Sequence, residues 1–484
     1  MKKENMNLRR TKIVATLGPA TQTPDQIEKM ILAGMNVARL NFSHGNHEEH
    51  RHKAQTIRAI ARKLQKHIAI MVDLQGPKIR IARFINGQVT LQAGQPFVLS
   101  NTHPYNEGTA HIVGIDYPAL VTDCQAGDEL LLDDGRVVLE ITGIEGQEVH
   151  TRVVSGGSLS NNKGINRKGG GLSAPSLTAK DEEDIKLAAD IHADYIAVSF
   201  PRYGSDIEHA RQLARQAGSH AWIVAKIERA EAVVDDQALD ELITASDAVM
   251  VARGDLGVEV GDAELVGIQK KIILHARTLN KVVITATQMM ESMIANPIPT
   301  RAEVSDVANA VLDYTDAVML SAESASGNYP VEAVTAMSRI CMGAEKHPTS
   351  NKSGHRLGQV FPRCDETIAL SAMYAANHFP GVKAIISLSE SGHTPLIMSR
   401  IRSGVPIYCF TRHKETQNRV ALFRGVYPVN FDNSHLDPAI LMQAALDELK
   451  KHQTLNSGDW IIVTNGDLSA PGNGTNSMKL ICVN

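Results

Sequence analysis

The sequence predicts an α/β protein built on a (β/α)8 TIM barrel, with an all-β lid domain inserted in the barrel and an α/β domain at the carboxyl end. Short apolar runs alternate with helical stretches from residue 12 onward, which is the pattern of parallel strands joined by helices. One long stretch of strand-like pieces punctuated by glycine interrupts this alternation. The alternation returns, beyond a polar stretch near residue 350, in a shorter third part.

Eight apolar runs are the predicted barrel strands, and we expect the barrel to comprise residues 1–74 and 175–345. Their Val, Ile and Ala content is typical of parallel strands that are covered on both faces. Helices are predicted between them, for example 24–33 with Thr23 as N-cap and 206–216 with Ser205 as N-cap. The runs are 13–17, 37–42, 69–74, 195–200, 222–227, 248–252, 282–287 and 317–320.

Residues 75–174 show little helical periodicity, so we expect them to form the inserted β domain after the third barrel strand. Such an insertion leaves the barrel at the carboxyl ends of its strands, where barrel enzymes hold their active sites. It is therefore placed to act as a hinged lid. Residues 133–136 read as a hairpin turn. The predicted strands are 88–91, 129–132, 137–141 and 149–154.

Residues 355–484 form the predicted third domain, after a polar linker at 346–356. Strands and helices alternate again, which indicates a small doubly wound sheet. The predicted helices are 366–377, 395–402, 415–422 and 439–452, and the predicted strands are 384–389, 407–410 and 460–464.

Composition excludes several classes of protein. The 484 residues include 49 Lys and Arg against 53 Asp and Glu, and the net charge of −4 does not favour a nucleic-acid partner. The 5 cysteines are far apart and form no C-x-x-C pair, so reduced thiols are expected. The basic start runs into TKIVATLGPA and not into an apolar leader, and no run reaches membrane-spanning length. We therefore expect a cytoplasmic protein with no membrane partner.

Polar side chains follow the predicted barrel strands at their carboxyl ends, which meet at one rim of a barrel. Lys226 and Glu228 are two residues apart in one strand, so their side chains point the same way. Glu303 and Asp306 lie on a predicted helix, where we expect surface or interface roles. The side chains that follow the strands are Thr16, Arg39, Asn41, Ser43, His44, Asp73, Lys226, Glu228, Arg253, Asp255, Thr285, Thr287, Gln288, Ser321 and Glu323.

Glu228 and Asp255 offer hard carboxylate oxygens of the kind that Mg²⁺ prefers, with positions left for substrate oxygens. A lysine beside such a metal can stabilise a developing enolate or phosphoryl oxygen. Arg39 and Arg80 would supply forked donors to phosphate.

Three functional classes fit these groups. A Schiff-base lyase would use Lys226 as nucleophile. Such a lysine needs a lowered pKa, but nearby carboxylates would raise the pKa of Lys226. A Mg²⁺-dependent phosphotransferase uses every group without that conflict. A metabolite sensor without catalysis would not need so many convergent charges. Trapping with borohydride separates the first class from the second, and phosphoryl-transfer turnover excludes the third.

Seven segments of the chain can be compared with known protein families. In order, they are RLNFSH (39–44), DLQGPKIR (73–80), AKIERAEAV (225–233), MVARGDLGVE (250–259), ATQMMESM (286–293), PTRAEVSDVANAV (299–311) and DAVMLSAES (316–324). Together they resemble the pyruvate kinase family, and the likeness runs from Thr11 to the carboxyl terminus and includes the place of the inserted β domain.

The resemblance implies a homotetrameric phosphotransferase that converts phosphoenolpyruvate and ADP to pyruvate and ATP. It implies that Glu228 and Asp255 hold Mg²⁺ or Mn²⁺ and that Lys226 stabilises the transferring phosphoryl group. Arg39 would contact that group, while Gly254 and Thr287 would fix the substrate. Thr287, Ser321 and Glu323 resemble the group that protonates the enolate. The nucleotide-binding residues implied by the family are Asn41, Phe42, Ser43, His44, Arg80 and Lys163.

The resemblance also implies a monovalent cation site and an effector site. Members that need K⁺ typically carry Glu where this chain has Lys78, and they bind the ion through groups that match Asn41, Ser43, Asp73 and the backbone of Leu74. We expect Lys78 to offset Asp73, so that K⁺ is not required and the ion site is vestigial. Glu390 stands where members activated by a bisphosphate often carry a basic residue, so a monophosphate activator is expected. The matching effector residues are Ser389, Ser391, Gly392, His393 and Thr394.

Overall fold

Alternating strands and helices begin the chain, as the spacing of its apolar runs predicts. The computed structural model describes residues 8–351, 356, 358–466 and 474–483. The first elements are β1 (Lys12–Leu17), α1 (Pro24–Ala33), β2 (Val37–Asn41), α2 (His47–Lys63) and β3 (Ala69–Asp73).

An inserted segment follows β3. Its elements are β4 (Gln88–Leu91), β5 (Pro96–Ser100), β6 (Ile112–Gly114), α3 (Leu120–Asp123), β7 (Glu129–Leu132), β8 (Val137–Glu145), β9 (Glu148–Ser155), β10 (Gly157–Ser160) and β11 (Ile165–Arg167).

The alternation then resumes. Its elements are α4 (Ala179–Asp190), β12 (Tyr195–Val198), α5 (Gly204–Gln216), β13 (Trp222–Ile227), α6 (Asp236–Ala245), β14 (Ala248–Ala252), α7 (Arg253–Val260), α8 (Asp262–Thr278), β15 (Val282–Ala286), α9 (Arg301–Leu312), β16 (Ala317–Leu320), α10 (Ala322–Ala325) and α11 (Pro330–Ala344).

The carboxyl-terminal elements complete the chain. They are α12 (Cys364–His378), β17 (Val382–Leu388), α13 (His393–Ser399), β18 (Ile407–Thr411), α14 (Lys414–Val420), β19 (Val426–Asn430), α15 (Pro438–His452), β20 (Trp460–Asn465) and β21 (Ser477–Cys482).

Eight parallel strands close into the predicted barrel, in the order β1-β16-β15-β14-β13-β12-β3-β2. The strands are buried along almost their whole length, because side chains on one face fill the barrel and those on the other pack against helices. The insertion joins the barrel between β3 and α4, at the carboxyl ends of the strands. The (β/α)8 fold is therefore confirmed.

The insertion is rich in antiparallel sheet, as expected. Six strands form one sheet in the order β11-β7-β8-β9-β5-β6, and β10 pairs with β4 in a second. The sheets enclose a hydrophobic core of their own, which includes Phe97, Leu99 and Leu139. The predicted turn at 133–136 joins β7 to β8, with positive φ at Asp133, Asp134 and Gly135.

The carboxyl-terminal sheet has five strands in the order β19-β18-β17-β20-β21, of which β21 is antiparallel to its neighbour. The prediction missed β19 and β21. β19 contains Pro428, which removes a backbone donor and is tolerated at the edge of a sheet. β21 is also an edge strand and is partly exposed along its length, so it lacks a buried apolar run.

Asp316 joins the amino-terminal end of the barrel to the carboxyl-terminal sheet and its helices. Its Oδ2 accepts the N–H of Val283 at 2.9 Å, and its carbonyl accepts the N–H of Lys12 at 2.8 Å. Arg400 donates both terminal nitrogens to the carboxylate, one of them at 2.8 Å, and the N–H of Arg424 donates at 3.0 Å. One residue, whose side chain is 1% exposed, thus ties the starts of three adjacent barrel strands to the last part of the chain.

Helix caps were predicted with mixed success. The hydroxyl of Thr23 accepts the N–H of Gln26 at 3.3 Å and caps α1 as expected. Ser205 was a wrong choice for α5, which begins at Gly204. The carboxylate of Asp206 instead reaches back to the N–H of Arg202 at 2.8 Å, because a side chain in the first turn can satisfy the donors that precede a helix.

Two further expectations concern the whole chain. All five cysteines are free thiols. Among the residues that the structure describes, no helix is both long and apolar enough to cross a membrane.

Candidate active site

Lys226 lies near the carboxyl end of β13, and acidic groups enclose its ammonium group. Its Nζ is 2.8 Å from Glu228 Oε1 and 3.3 Å from Asp73 Oδ1, and it donates to Ser199 Oγ at 2.7 Å. Burial alone would lower the pKa of Lys226, but the carboxylates of Asp73 and Glu228 outweigh burial and hold that pKa above its ordinary value. A lysine that keeps its proton is a fixed cation and not a Schiff-base nucleophile.

Arg39 extends this network along the rim. Its Nε donates to Asp73 Oδ2 at 2.7 Å, and its Nη1 donates to Thr16 Oγ1 at 2.8 Å. Burial would raise the pKa of Asp73, but Arg39 and Lys226 lower it below its ordinary value. The side chains meet because β1, β2 and β3 are neighbours and place Thr16 opposite Arg39. Four of the predicted rim residues are therefore in one hydrogen-bonded chain.

Glu228 and Asp255 are the two carboxylates expected to hold a divalent cation. Glu228 is 1% exposed, and its Oε2 accepts the N–H of Phe200 at 2.7 Å. Burial raises the pKa of Glu228 to about 7; Lys226 opposes this shift, and the Asp255 carboxylate adds to it. Two carboxylates whose negative charges lie close together are stabilised by an added cation, and Mg²⁺ prefers such hard oxygen ligands. Among the described residues there is no cluster of three or more potential metal-binding side chains, so other ligands would come from substrate or water.

The backbone N–H of Gly254 and the hydroxyl of Thr287 adjoin each other across β14 and β15. Gly254 donates to Thr287 Oγ1 at 2.8 Å. Thr287 and Gln288 have φ values of +65° and +52°, which are strained for residues with a side chain. Arg253 supports this turn, since its Nη2 donates to the carbonyls of Thr287 at 2.8 Å and Gln288 at 3.0 Å.

Asp306 holds Arg253 in place through a contact of 2.8 Å between its Oδ1 and Arg253 Nη1. The sequence analysis placed Arg253 at a strand end without a role and expected only a surface or interface role for Asp306. Arg253 is buried, and a buried guanidinium must find acceptors. The need for acceptors indicates that Arg253 has a partner. The spacing of residues in the sequence does not identify Asp306 as the carboxylate that fills this role.

Glu323 is also fully engaged. Its Oε2 accepts the N–H of Ser321 at 2.7 Å, and its Oε1 accepts the N–H of Met290 at 3.1 Å. The carboxylate therefore ties the end of β16 to the turn that follows β15. This arrangement favours a role for Glu323 in positioning Ser321.

Comparison with models of known protein families shows to which family the chain belongs. A family model described as the pyruvate kinase barrel domain matches residues 8–334. Another, described as the pyruvate kinase alpha/beta domain, matches residues 366–481. The chain belongs to the pyruvate kinase family.

Individual pyruvate kinases are similar over nearly the whole chain. Pyruvate kinase II of Salmonella typhimurium is 58% identical over 476 residues, which are 98% of this chain and 99% of that protein. The pyruvate kinase of Haemophilus influenzae is 56% identical over 463 residues, which are 96% of this chain and 97% of that protein. The pyruvate kinase of Geobacillus stearothermophilus is 40% identical over 476 residues, and this chain covers 80% of it.

The residues expected to bind nucleotide in a pyruvate kinase lie in two groups. In the first, Asn41 Oδ1 accepts the N–H of Ser43 at 3.1 Å, Phe42 is buried, and His44 is exposed beside them. The second group is in the insertion, where Arg80 Nη1 donates to the carbonyl of Asn162 at 2.9 Å. Its other member, Lys163, lies next to that asparagine.

Lys163 is paired within the insertion. Its Nζ lies 2.7 Å from Oδ1 of Asp133, in the turn between β7 and β8. The sequence analysis assigned Asp133 only to a turn. The pairing means that Lys163 must exchange this carboxylate for a phosphate if it is to bind nucleotide.

Lys78 has a different partner from the expected one. Its Nζ is 3.4 Å from Asp255 Oδ1, whereas Asp73 is paired with Arg39 and Lys226. Lys78 lies in the inserted segment beyond β3, so its side chain approaches from the lid and meets the carboxylate nearest to it. Lys78 does reach the rim, where its ion pair is with Asp255 and not with Asp73.

Three of the four groups that match the family's K⁺ ligands are engaged by protein atoms. Asp73 carries the two ion pairs just described, and the carbonyl of Leu74 accepts the hydroxyl of Ser199 at 2.8 Å. The side-chain oxygen of Asn41 accepts the N–H of Ser43.

The expected effector residues of this pyruvate kinase family member surround the start of α13. The N–H of Gly392 donates to Ser389 Oγ at 3.0 Å, and the N–H of His393 donates to Ser391 Oγ at 3.3 Å. Thr394 is buried, with its hydroxyl 2.6 Å from that of Thr475. Gly392 has a φ of +81°, which a glycine adopts without strain. The hydroxyls and N–H groups are therefore gathered in one turn.

Proposed function

We propose that this chain transfers the phosphoryl group of phosphoenolpyruvate to ADP, giving pyruvate and ATP in the last step of glycolysis. The observation that carries this proposal is the position of Lys226, a permanently charged group 2.8 Å from the carboxylate of Glu228. A fixed cation beside a divalent-cation site can neutralise charge that develops on a transferred phosphoryl group and on the enolate that leaves it.

Each rim residue then has a role in substrate binding. Glu228 and Asp255 would hold Mg²⁺ or Mn²⁺, and the bound metal would supply positive charge to the oxygens of phosphoenolpyruvate. Lys226 would stabilise the transferring phosphoryl group, and Arg39 would contact it with a forked donor. The backbone of Gly254 and the hydroxyl of Thr287, which already adjoin each other, would fix the carboxylate and enolate ends.

Proton delivery to the enolate involves Thr287, Ser321 and Glu323. Both carboxylate oxygens of Glu323 accept backbone N–H groups, which supports a role in holding Ser321. The hydroxyl of Thr287 accepts from Gly254 and donates to the carbonyl of Ala286 at 2.6 Å. Its proton is held by that carbonyl, so delivery to the enolate would need the hydroxyl to turn away from Ala286.

Nucleotide would bind between the rim and the lid. Asn41, Phe42, Ser43 and His44 would contact it from β2 and the following turn, while Arg80 and Lys163 would contact its phosphates from the insertion. For this contact Lys163 must leave Asp133, which lies 2.7 Å away. Closure of the lid would then exclude water from the reacting groups.

A coupled assay tests the reaction. Pyruvate formation from phosphoenolpyruvate and ADP should require Mg²⁺ or Mn²⁺ and should yield one ATP for each pyruvate. A chain that forms no pyruvate under these conditions, with or without K⁺ and sugar monophosphates, would overturn the proposal.

We also propose that the enzyme does not require K⁺. The ammonium group of Lys78 lies 3.4 Å from Asp255, so it adds positive charge at the rim where K⁺-dependent members bind an ion. The groups of Asn41, Asp73 and Leu74 that would bind the ion have protein partners, which supports a vestigial site.

The family relationship supports further assignments. We propose that residues 1–74 and 175–345 form the catalytic barrel, 75–174 the lid and 355–484 the regulatory domain. We also propose a cytoplasmic homotetramer. The residues from 352 to 355 at the last boundary lie outside the described part of the chain.

The effector is proposed to be a nucleotide or sugar monophosphate held by Ser389, Ser391, Gly392, His393 and Thr394. Glu390 contacts His413 closely, and its Oε2 is 3.8 Å from Arg412 Nε. The carboxylate of Glu390 pairs with basic side chains that a second phosphate would need. It also repels that phosphate directly.

Ser391→Asp should raise the AMP concentration for half-activation by about 10-fold or more, because the added carboxylate repels the phosphate. Activity without effector should be unchanged. Initial rates against AMP concentration measure the effect, and Ser371→Asp on the exposed face of α12 is the matched control. Strong activation by fructose 1,6-bisphosphate that survives Ser391→Asp would contradict the assignment.

A further inference from the structure

Glu259 links three segments of the chain near the proposed active site, one of which is its own helix. Its Oε2 accepts the N–H of Ala230 at 2.8 Å, and its Oε1 accepts the side-chain N–H of Asn166 at 3.2 Å. Its backbone carbonyl accepts the N–H of Gly169 at 3.1 Å. The residue is 5% exposed, so both carboxylate oxygens are used inside the protein.

Two of these segments carry the proposed metal ligands. Glu259 lies in α7, one helical turn after Asp255. Ala230 follows Glu228 by two residues, at the start of a short 3₁₀ helix. The hydrogen bond between Glu259 and Ala230 therefore sets the separation of the backbone segments that hold Glu228 and Asp255.

The third segment belongs to the inserted lid. Asn166 is in β11, and Gly169 begins a run of three glycines with φ of +79°, +80° and +96°. A side chain at Gly170 would place its Cβ 2.2 Å from Glu231 Oε2, and one at Gly171 would place it 2.1 Å from Arg167 Nη1. The contact at Gly170 shows that this returning segment lies closely against the barrel residue Glu231, while the contact at Gly171 is within the insertion.

We propose that Glu259 is a positioning residue that couples closure of the lid to the spacing of the metal ligands Glu228 and Asp255. The proposal rests on the metal site assigned under the proposed function. With the lid in place, Asn166 and Gly169 hold α7 from one side while Ala230 holds it from the other. Loss of the lid contact would free Glu259 to move, and the carboxylate of Asp255 would move with the helix that carries both.

Three variants remove different contacts of Glu259. Glu259→Gln can satisfy only one of the two donors, Ala230 N–H or Asn166 Nδ2, because an amide has one acceptor oxygen and its NH₂ group must face the other donor. Asn166→Ala removes the contact with the lid and leaves the contact with Ala230. Ala230→Pro removes the N–H on the metal side only, and proline is well tolerated at the first position of a helix.

The first measurement is Mn²⁺ binding in the absence of substrates, in which the free ion is detected by electron paramagnetic resonance. Glu259→Gln and Ala230→Pro should each weaken Mn²⁺ binding by about 10-fold, since each leaves a buried group unpaired. Asn166→Ala should also weaken Mn²⁺ binding, by about 3-fold, because it removes the lid contact that keeps Glu259 and its helix in place. Hydrogen exchange of residues 165–172 is the second measurement. Exchange should be faster in Glu259→Gln and Asn166→Ala, and added Mn²⁺ should slow it in the wild type but not in Ala230→Pro, which lacks the hydrogen bond to the metal side.

Glu228→Gln and Asp255→Asn separate failure of this inference from failure of the metal site. If these variants bind Mn²⁺ like the wild type, the site is wrongly placed. If they lose Mn²⁺ while Asn166→Ala, or both Glu259→Gln and Ala230→Pro, retain wild-type binding, the site stands and the inference is wrong. Thermal unfolding shows which variants fold. Should Glu259→Gln not fold, Asn166→Ala and Ala230→Pro still decide, because the proposal requires the lid-side change to weaken Mn²⁺ binding and the metal-side change to abolish the effect of Mn²⁺ on exchange in the lid.

Discussion

Lys226→Met is expected to lower kcat by about 1,000-fold or more while the affinity for phosphoenolpyruvate changes by less than about 10-fold. The ammonium group is held by Asp73, Glu228 and Ser199, so it needs no rearrangement as charge develops on the substrate. An interaction that strengthens only in the transition state affects kcat more than binding.

Steady-state kinetics with phosphoenolpyruvate as the varied substrate, together with its binding measured by fluorescence, checks this expectation. Lys270→Met is the control, because Lys270 is a solvent-facing lysine that pairs with Asp313 on the barrel exterior. A Lys226→Met enzyme with normal kcat and poor binding would contradict the role given to this lysine. Borohydride in the presence of substrate should leave the wild type active, since a charged Lys226 forms no Schiff base.

Removing K⁺ should change the wild-type rate by less than about 2-fold, whereas Lys78→Glu should lower it by about 100-fold in the same K⁺-free buffer. Lys78→Glu places a carboxylate against Asp255, whose Oδ1 is now 3.4 Å from the lysine. Addition of K⁺ should restore part of the lost rate. Tetramethylammonium can serve as the inert cation.

Two other variants sharpen the test of K⁺ dependence. Lys78→Gln removes the charge without adding a new one and should lose less activity than Lys78→Glu. Lys168→Glu makes the same charge change on the exposed surface of the insertion and should have little effect. A wild-type enzyme that is almost inactive without K⁺ would show that Asn41, Ser43, Asp73 and Leu74 form a working ion site.

The barrel and most of its rim could be predicted because they follow from local periodicity. The runs at 222–227, 248–252 and 317–320 coincide with β13, β14 and β16, since buried parallel strands are apolar along their length. Parallel strands also align their carboxyl ends, which brings Arg39, Asp73, Lys226 and Glu228 together without any knowledge of packing.

Contacts between elements could not be predicted in the same way. Arg253 pairs with Asp306 on α9, and Lys78 pairs with Asp255 across the space between lid and barrel. Glu259 also bonds to residues far from it in sequence. Each of these partners depends on how two elements dock, which periodicity does not encode. Edge strands such as β21 have no buried face to mark them.

The buried pair of Arg400 and Asp316 has a consequence for how the protein unfolds. Each side chain is 1% exposed, and loss of one partner from such a pair costs about 3–5 kcal/mol. A chain cut after α11 would leave Asp316 without Arg400 or Arg424, at the point where three barrel strands begin. The barrel and the last part of the chain should therefore melt in one cooperative transition, while the insertion, with its own core, is free to open as a separate unit.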